Sequence, residues 1–72
     1  MHYRLKFINS VERTVRDEDV DAPDDEAAIV HACNRSILYR MAIELCDGER
    51  PVIRVTPMTA RLYLPDRSEP RL

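Results

Sequence analysis

Seven of the chain's 13 carboxylates fall within ten residues: Asp17, Glu18, Asp19, Asp21, Asp24, Asp25 and Glu26. Acids at this density are the chemistry of a divalent-cation loop, and Asp17-x-Asp19-x-Asp21 has the spacing with which a calcium loop begins. Such a loop also needs a glycine for its sharp turn and a glutamate at its twelfth position, and here that position is Ala28. The run reads better as a solvated connector whose last acids face the positive end of a helix dipole. His31 and Cys33, two positions apart on a helix, point about 200° from each other and cannot share a metal ion. His31 and Arg35 share a face at i and i+4, and the neighbouring cation disfavours a protonated imidazole. Ser10, Ser36 and Ser68 lack the context of an activated nucleophile. With one glycine in 72 residues, phosphate loops and dinucleotide fingerprints are excluded. No catalytic, cofactor-binding or metal-binding residue is therefore assigned, no cofactor is expected, and the chain is read as a non-enzyme.

The element that must position everything else is the stretch 24–46, which contains neither Pro nor Gly. Ala27, Val30, Ile37, Leu38, Met41 and Leu45 recur at steps of three, four and seven, the period of one helix face. Asp24 suits the N-cap and Gly48 the left-handed residue just past the end. The spacing thus predicts a single helix over 24–46. A second apolar set, Ala28, Ala32, Tyr39, Ile43 and Cys46, lies nearly opposite the first, with Arg35 its one polar interruption. A helix covering one open sheet needs only one apolar face, so this seam is the candidate interface for a second copy or another protein. On that reading Ile43→Glu separates a dimer and leaves the fold intact. Asn34 falls inside the main stripe, where a buried amide must find partners, unless the helix is rotated so that Asn34 meets water. Cys33 and Cys46, 13 residues apart on one helix, are about 20 Å apart by rise alone, which excludes a disulfide within the chain.

Around this helix the pattern changes to period two. Tyr3, Leu5 and Phe7 alternate with Arg4 and Lys6, the signature of a half-buried strand. Asn9-Ser10 suits a hairpin turn, and V-E-R-T-V-R over 11–16 a second strand. P-V-I-R-V-T-P over 51–57 predicts a third strand bracketed by prolines, and A-R-L-Y-L over 60–64 a fourth. The expected fold is α+β: a two-layer sandwich in the order ββαββ, with one long helix on an antiparallel or mixed sheet. A single domain over 1–64 with a flexible tail over 65–72 completes the expectation.

At this length a chain buries only about 60% of the surface its unfolded form exposes, which favours association. A net charge of −2 supplies no general attraction to nucleic acid or anionic membranes. No apolar run approaches the roughly 20 residues of a membrane span, and the charged start is unlike a signal peptide, so a cytoplasmic protein is expected. If the apolar sides of the strands meet the helix, Arg4, Lys6, Arg16, Arg54 and Arg61 join Tyr63 on the other side of the sheet. That basic face with an aromatic is the alternative candidate, a surface for single-stranded RNA or DNA. It ranks below protein interaction because the acidic stretch repels phosphate.

The line Y-R-L-K-F … V-R-D-E-D-V-D-A-P-D-D-E-A-A-I-V-H-A … R-P-V-I-R-V resembles a class of small bacterial proteins of unknown function common in rhizobia and their relatives. The likeness spans roughly residues 3–55. It departs where that class places a glycine in the acidic turn, here Glu18-Asp19-Val20, in the longer helix, and in the sequence after Pro57. The resemblance implies the fold and a bacterial cytosolic origin, and it implies no activity.

Overall fold

The computed structural model describes residues 1–64. The expected tail, 65–72, lies outside the described residues. The period-two stretch forms β1 (His2–Ile8), with Tyr3, Leu5 and Phe7 buried. A five-residue loop over 9–13 follows in place of the two-residue turn. Asn9 organises it: its Oδ1 accepts from the backbone N–H groups of Val11 and Arg13, both at 3.0 Å. Glu12 takes a left-handed φ of 61° there.

The second strand, β2 (Thr14–Asp21), starts and ends later than the sequence indicates. The first part of the acidic run, as far as Asp21, is thus a strand and not a connector, while its last three acids cap and open α1 as expected. Asp17, Asp19 and Asp21 alternate with Glu18 and Val20, and their partners on β1 are basic. His2 pairs with Asp21, Arg4 with Asp19 and Lys6 with Asp17. Opposite charges facing across two strands stabilise the pairing, so acids that disfavour a strand in isolation suit this one.

Helix α1 (Asp25–Tyr39) starts where the sequence predicts. The Asp24 carboxylate accepts from the Ala27 N–H at 2.9 Å, and Asp25 and Glu26 occupy the first turn. It stops seven residues before the expected end at Cys46. Arg40 adopts a left-handed conformation, φ 57° and ψ 45°, and its N–H bonds the Ser36 carbonyl. The buried Ser36 hydroxyl donates to the Met41 carbonyl at 2.6 Å and locks the exit.

The next residues form β3 (Ala42–Asp47). Ile43 and Leu45 lie about 200° apart on a helix, so a continued α1 would shelter only one of them. On a strand both face the core, and neither is exposed. They sit opposite Phe7 and Leu5 of β1. Gly48, at φ 65°, turns the chain into β4 (Arg50–Val55). Pro51 interrupts the β3–β4 register, as suits a strand at the sheet's edge.

The residues expected as a fourth strand over 60–64 belong instead to α2 (Pro57–Tyr63). The Thr56 hydroxyl accepts from the Thr59 N–H, the Thr59 hydroxyl accepts from the Thr56 N–H, and Pro57 opens the first turn. Those are start signals, and they outweigh a short apparent alternation.

The sheet runs β2-β1-β3-β4, with every neighbouring pair antiparallel. Both helices pack on one face and against each other. The fold is α+β, with a four-stranded antiparallel sheet and two helices in place of one. The core lies between the layers. Ala28, Ile29, Ala32, Cys33 and Ser36 are the buried side of α1, while Val30, Asn34 and Leu38 face water. The helix is therefore rotated from the expected stripe. Small side chains on α1 allow close approach to the large Tyr3, Leu5 and Phe7 on the sheet.

Ile43 tests the break in the long helix. As a core residue with no exposed surface, Ile43→Ala should cost about 2–5 kcal/mol in urea unfolding. Ile43→Glu, which buries an unpaired charge, should not fold at all. A folded Ile43→Glu variant would place position 43 at the surface and contradict this strand.

Candidate functional site

Three regions combine enough polar or exposed apolar groups to be considered. The first lies at the end of the sheet where α1 begins. The Tyr3 hydroxyl, on a side chain with no exposed surface, donates to Asp25 Oδ1 at 2.7 Å. Arg50 reaches the same carboxylate from the β3–β4 hairpin, with Nη2 at 3.0 Å from Oδ1 and Nη1 at 3.3 Å from Oδ2. It also donates to Asp47 at 2.9 Å. The Arg50 bonds, then that from Tyr3, hold the Asp25 carboxyl below its ordinary 3.8. Burial, then the bond to Asp25, pushes the Tyr3 hydroxyl up to about 12. The Arg50 guanidinium is raised chiefly by its bonds to Asp25.

Each of these shifts moves its group further from neutrality. Near pH 7 the phenol keeps its proton, the carboxylate stays ionised and the guanidinium stays charged. The cluster joins β1, the start of α1 and the β3–β4 turn. Sequence reasoning missed it because its members are separated by 22 and 25 positions and no local spacing links them.

The second region is the open face of the sheet, the proposed nucleic-acid surface. Arg4, Lys6 and Arg54 lie on it, and each faces a carboxylate. Arg4 Nε is 3.4 Å from Asp19, Lys6 is flanked by Asp17 and Glu44 in register, and Arg54 Nη2 donates to Glu12 at 2.8 Å. The other three residues lie elsewhere. Arg16 turns to the helical side, its guanidinium 5.7 Å from the Phe7 ring centre and 5.4 Å from that of Tyr39. Arg61 and Tyr63 belong to α2, on the far side of the sheet from the open face. The six residues do not form one basic surface. A period-two pattern assigned them to one side only while β2 was taken to end at Arg16, before its acids, and 60–64 was taken as a strand.

The candidate interface is corrected in the same way. Ala28, Ala32 and Ile43 have no exposed surface, and Cys46 lies on β3 opposite Arg4, on the open face. Only Tyr39 is exposed, beside Phe7 with the ring planes nearly perpendicular at 5.4 Å. With α1 ending at Arg40, the five positions share no helix face. Cys33 and Cys46 are both free thiols on opposite sides of the sheet, and burial raises the Cys33 thiol. His31 is exposed while Cys33 is buried, so the two point apart.

The third region is the outward side of the helical layer, which the sequence did not single out. On α1 it presents Val30, His31, Asn34 and Leu38; on α2, Met58 and Leu62 stand one turn apart. Leu38 and Leu62 are 67% and 82% exposed. Val30, Asn34, Leu38, Met58 and Leu62 carry no ionisable side chain, in a chain whose residues are one-third charged. The available signal was Val30 and Leu38 at i and i+8, which was assigned to the core. Among the described residues no helix is long and apolar enough to cross a membrane, and no group of three His, Cys, Asp or Glu side chains is placed to hold a metal ion. Comparison of the chain with protein-family models, curated proteins and solved structures finds no match.

The polar cluster has a signed pH signature. Because the folded-state value of Asp25 is depressed, its stabilisation is present above 3.8 and lost as pH falls through the lower folded value. Asp25→Asn should lower the thermal midpoint at pH 7, and its difference from the parent should shrink as pH drops below 3.8. Melts followed by circular dichroism across pH 2–7 check this. A difference that stays constant with pH would show that Asp25 contributes no charge-dependent stability.

Proposed function

We propose that this is a small non-catalytic protein-interaction module that self-associates through the outward side of its helical layer. The observations behind this reading are four exposed apolar side chains on the two packed helices, Val30 and Leu38 on α1 and Met58 and Leu62 on α2. Solvent-facing helix surfaces are ordinarily covered with charged side chains, and contiguous apolar ones mark contact sites. A second copy suits the surface for a physical reason. A two-fold interface sets a patch against itself, so a charge near the axis meets its own like charge, and an uncharged patch avoids that repulsion. The surface differs from the seam read from the sequence, while the kind of function is the same.

The Tyr3–Asp25–Arg50 cluster, whose groups are each shifted away from titration near pH 7, supports the non-catalytic part of the proposal. The balanced charges of the open sheet face weigh against nucleic acid as partner, because an added phosphate would compete with carboxylates already in place. A bacterial cytosolic setting, as the rhizobial resemblance implies, belongs to the same proposal.

The solution mass across a concentration series tests it. The parent chain should pass from one to two copies as concentration rises. The double substitution Leu38→Glu with Leu62→Glu should remain a single copy at every concentration. Both positions are exposed, so the melting curve should change little. A parent chain of one copy throughout, or a dimer indifferent to both glutamates, would refute the proposal.

A further inference from the structure

The free edge of β2 lies away from the helical surface just described and has a definite hydrogen-bonding phase. Met1 and Ala22 exchange both backbone bonds: the Ala22 N–H donates to the Met1 carbonyl at 2.9 Å, and the Met1 amino group donates to the Ala22 carbonyl at 2.8 Å. In an antiparallel ladder such pairs alternate with pairs that bond away from each other. Counting from Met1 and Ala22, Tyr3 with Val20, Leu5 with Glu18 and Phe7 with Arg16 are bonded pairs. His2 with Asp21, Arg4 with Asp19 and Lys6 with Asp17 are not, and the register is unbroken as far as Phe7. The backbone N–H and C=O groups of Asp17, Asp19 and Asp21 therefore point outward. No further strand pairs with β2 among the described residues.

The same three residues place their carboxylates on the open face, where β1 meets them from one side only. Their side chains remain exposed: His2 lies 3.5 Å from Asp21 and 3.6 Å from Asp19, Arg4 Nε lies 3.4 Å from Asp19, and Asp17 has no ion pair among the described residues. Backbone groups that seek a strand and side chains that seek cations thus occur on identical positions.

We propose that β2 accepts a fifth strand, an extended peptide segment with Lys or Arg at every second position. Each basic residue of that segment stands directly opposite an aspartate, exchanging backbone bonds with it while its side chain lies beside the carboxylate on the open face. The residues between them face the helical side next to Val20 and Glu18, where Glu18 is already held by Arg35 at 2.8 Å. The incoming segment repeats the pattern of β1 itself, in which His2, Arg4 and Lys6 alternate with Tyr3, Leu5 and Phe7. A second copy's β2 does not fit. Antiparallel pairing of two such edges would set aspartate against aspartate, and like charges directly opposite are destabilising.

The experiment uses the full chain, isotopically labelled, and a capped peptide of about nine residues with lysine at every second position and threonine between. A peptide of identical composition with its lysines in one block is the control. The alternating peptide should slow hydrogen exchange at the Asp17, Asp19 and Asp21 amides and bind at least about tenfold more tightly than the block peptide. Asp19→Pro should abolish binding, since it removes an outward N–H that makes no bond to β1. Should Asp19→Pro fail to fold, the triple change of Asp17, Asp19 and Asp21 to Asn keeps the strand edge, and it should lose at least about tenfold in affinity. Equal binding of the two peptides, protection at other amides, binding retained by a folded Asp19→Pro chain or by the triple variant, or no binding at millimolar peptide would overturn the proposal.

Discussion

Leu5 against Leu45 and Phe7 against Ile43 are the contacts on which the rest of this fold depends. They join β1 to β3 at the centre of the sheet, and all four side chains are buried. Tyr3, Ile29, Cys33 and Val55 pack around them to complete the core. Residues 42–47 could serve helix or strand by local preference alone. As a strand they bury Ile43 and Leu45 together and gain a full set of ladder hydrogen bonds, whereas as helix they would leave one of the two in water. The left-handed Arg40 and the Ser36 hydroxyl bond to Met41 are the local cost and the local support of that choice. A left-handed arginine is disfavoured by roughly 1–2 kcal/mol, less than is lost by exposing one large aliphatic side chain.

Once β3 occupies the centre, α1 is restricted to a length that spans the sheet. Its buried side then has to fit the large residues beneath. Ala28 and Ala32 let the helix backbone approach Tyr3, Leu5 and Phe7 closely, and Val30 and Leu38 are turned outward as a consequence. The exposed apolar surface of the helical layer thus follows from core packing. At Val30 and Leu38 the side that a wheel of isolated helix residues marks as core is turned to water, while Ala27 and Ile37 stay packed against the core.

Charge follows the same sheet order. With β2 at one edge and β1 beside it, the acidic and basic halves of the early chain cancel across two strands. The open face therefore has no net basic character, and the nucleic-acid reading loses its physical basis. On the helical side of β1, Tyr3, Asp25 and Arg50 connect the two layers through groups whose protonation states are fixed well away from neutrality. Stabilising two edges with charge leaves one of them, β2, with outward backbone groups and a regular row of carboxylates.

Several features were legible in the residues alone. The alternation of Tyr3, Leu5 and Phe7 identified β1, Asp24 marked the start of α1, and the prolines at 51 and 57 bracketed β4. The α+β class followed from these, because period-two and period-3.6 segments must bury their apolar sides against one another. Other features belonged to tertiary structure. Whether 42–47 continued a helix depended on Leu5 and Phe7, more than thirty positions away. Whether the acidic run was connector or strand depended on the basic residues of β1, and the Tyr3–Asp25–Arg50 cluster had no local pattern at all. Local spacing reports which residues can share a face. Which face is buried is decided by partners distant in sequence, and only the folded chain brings those partners together.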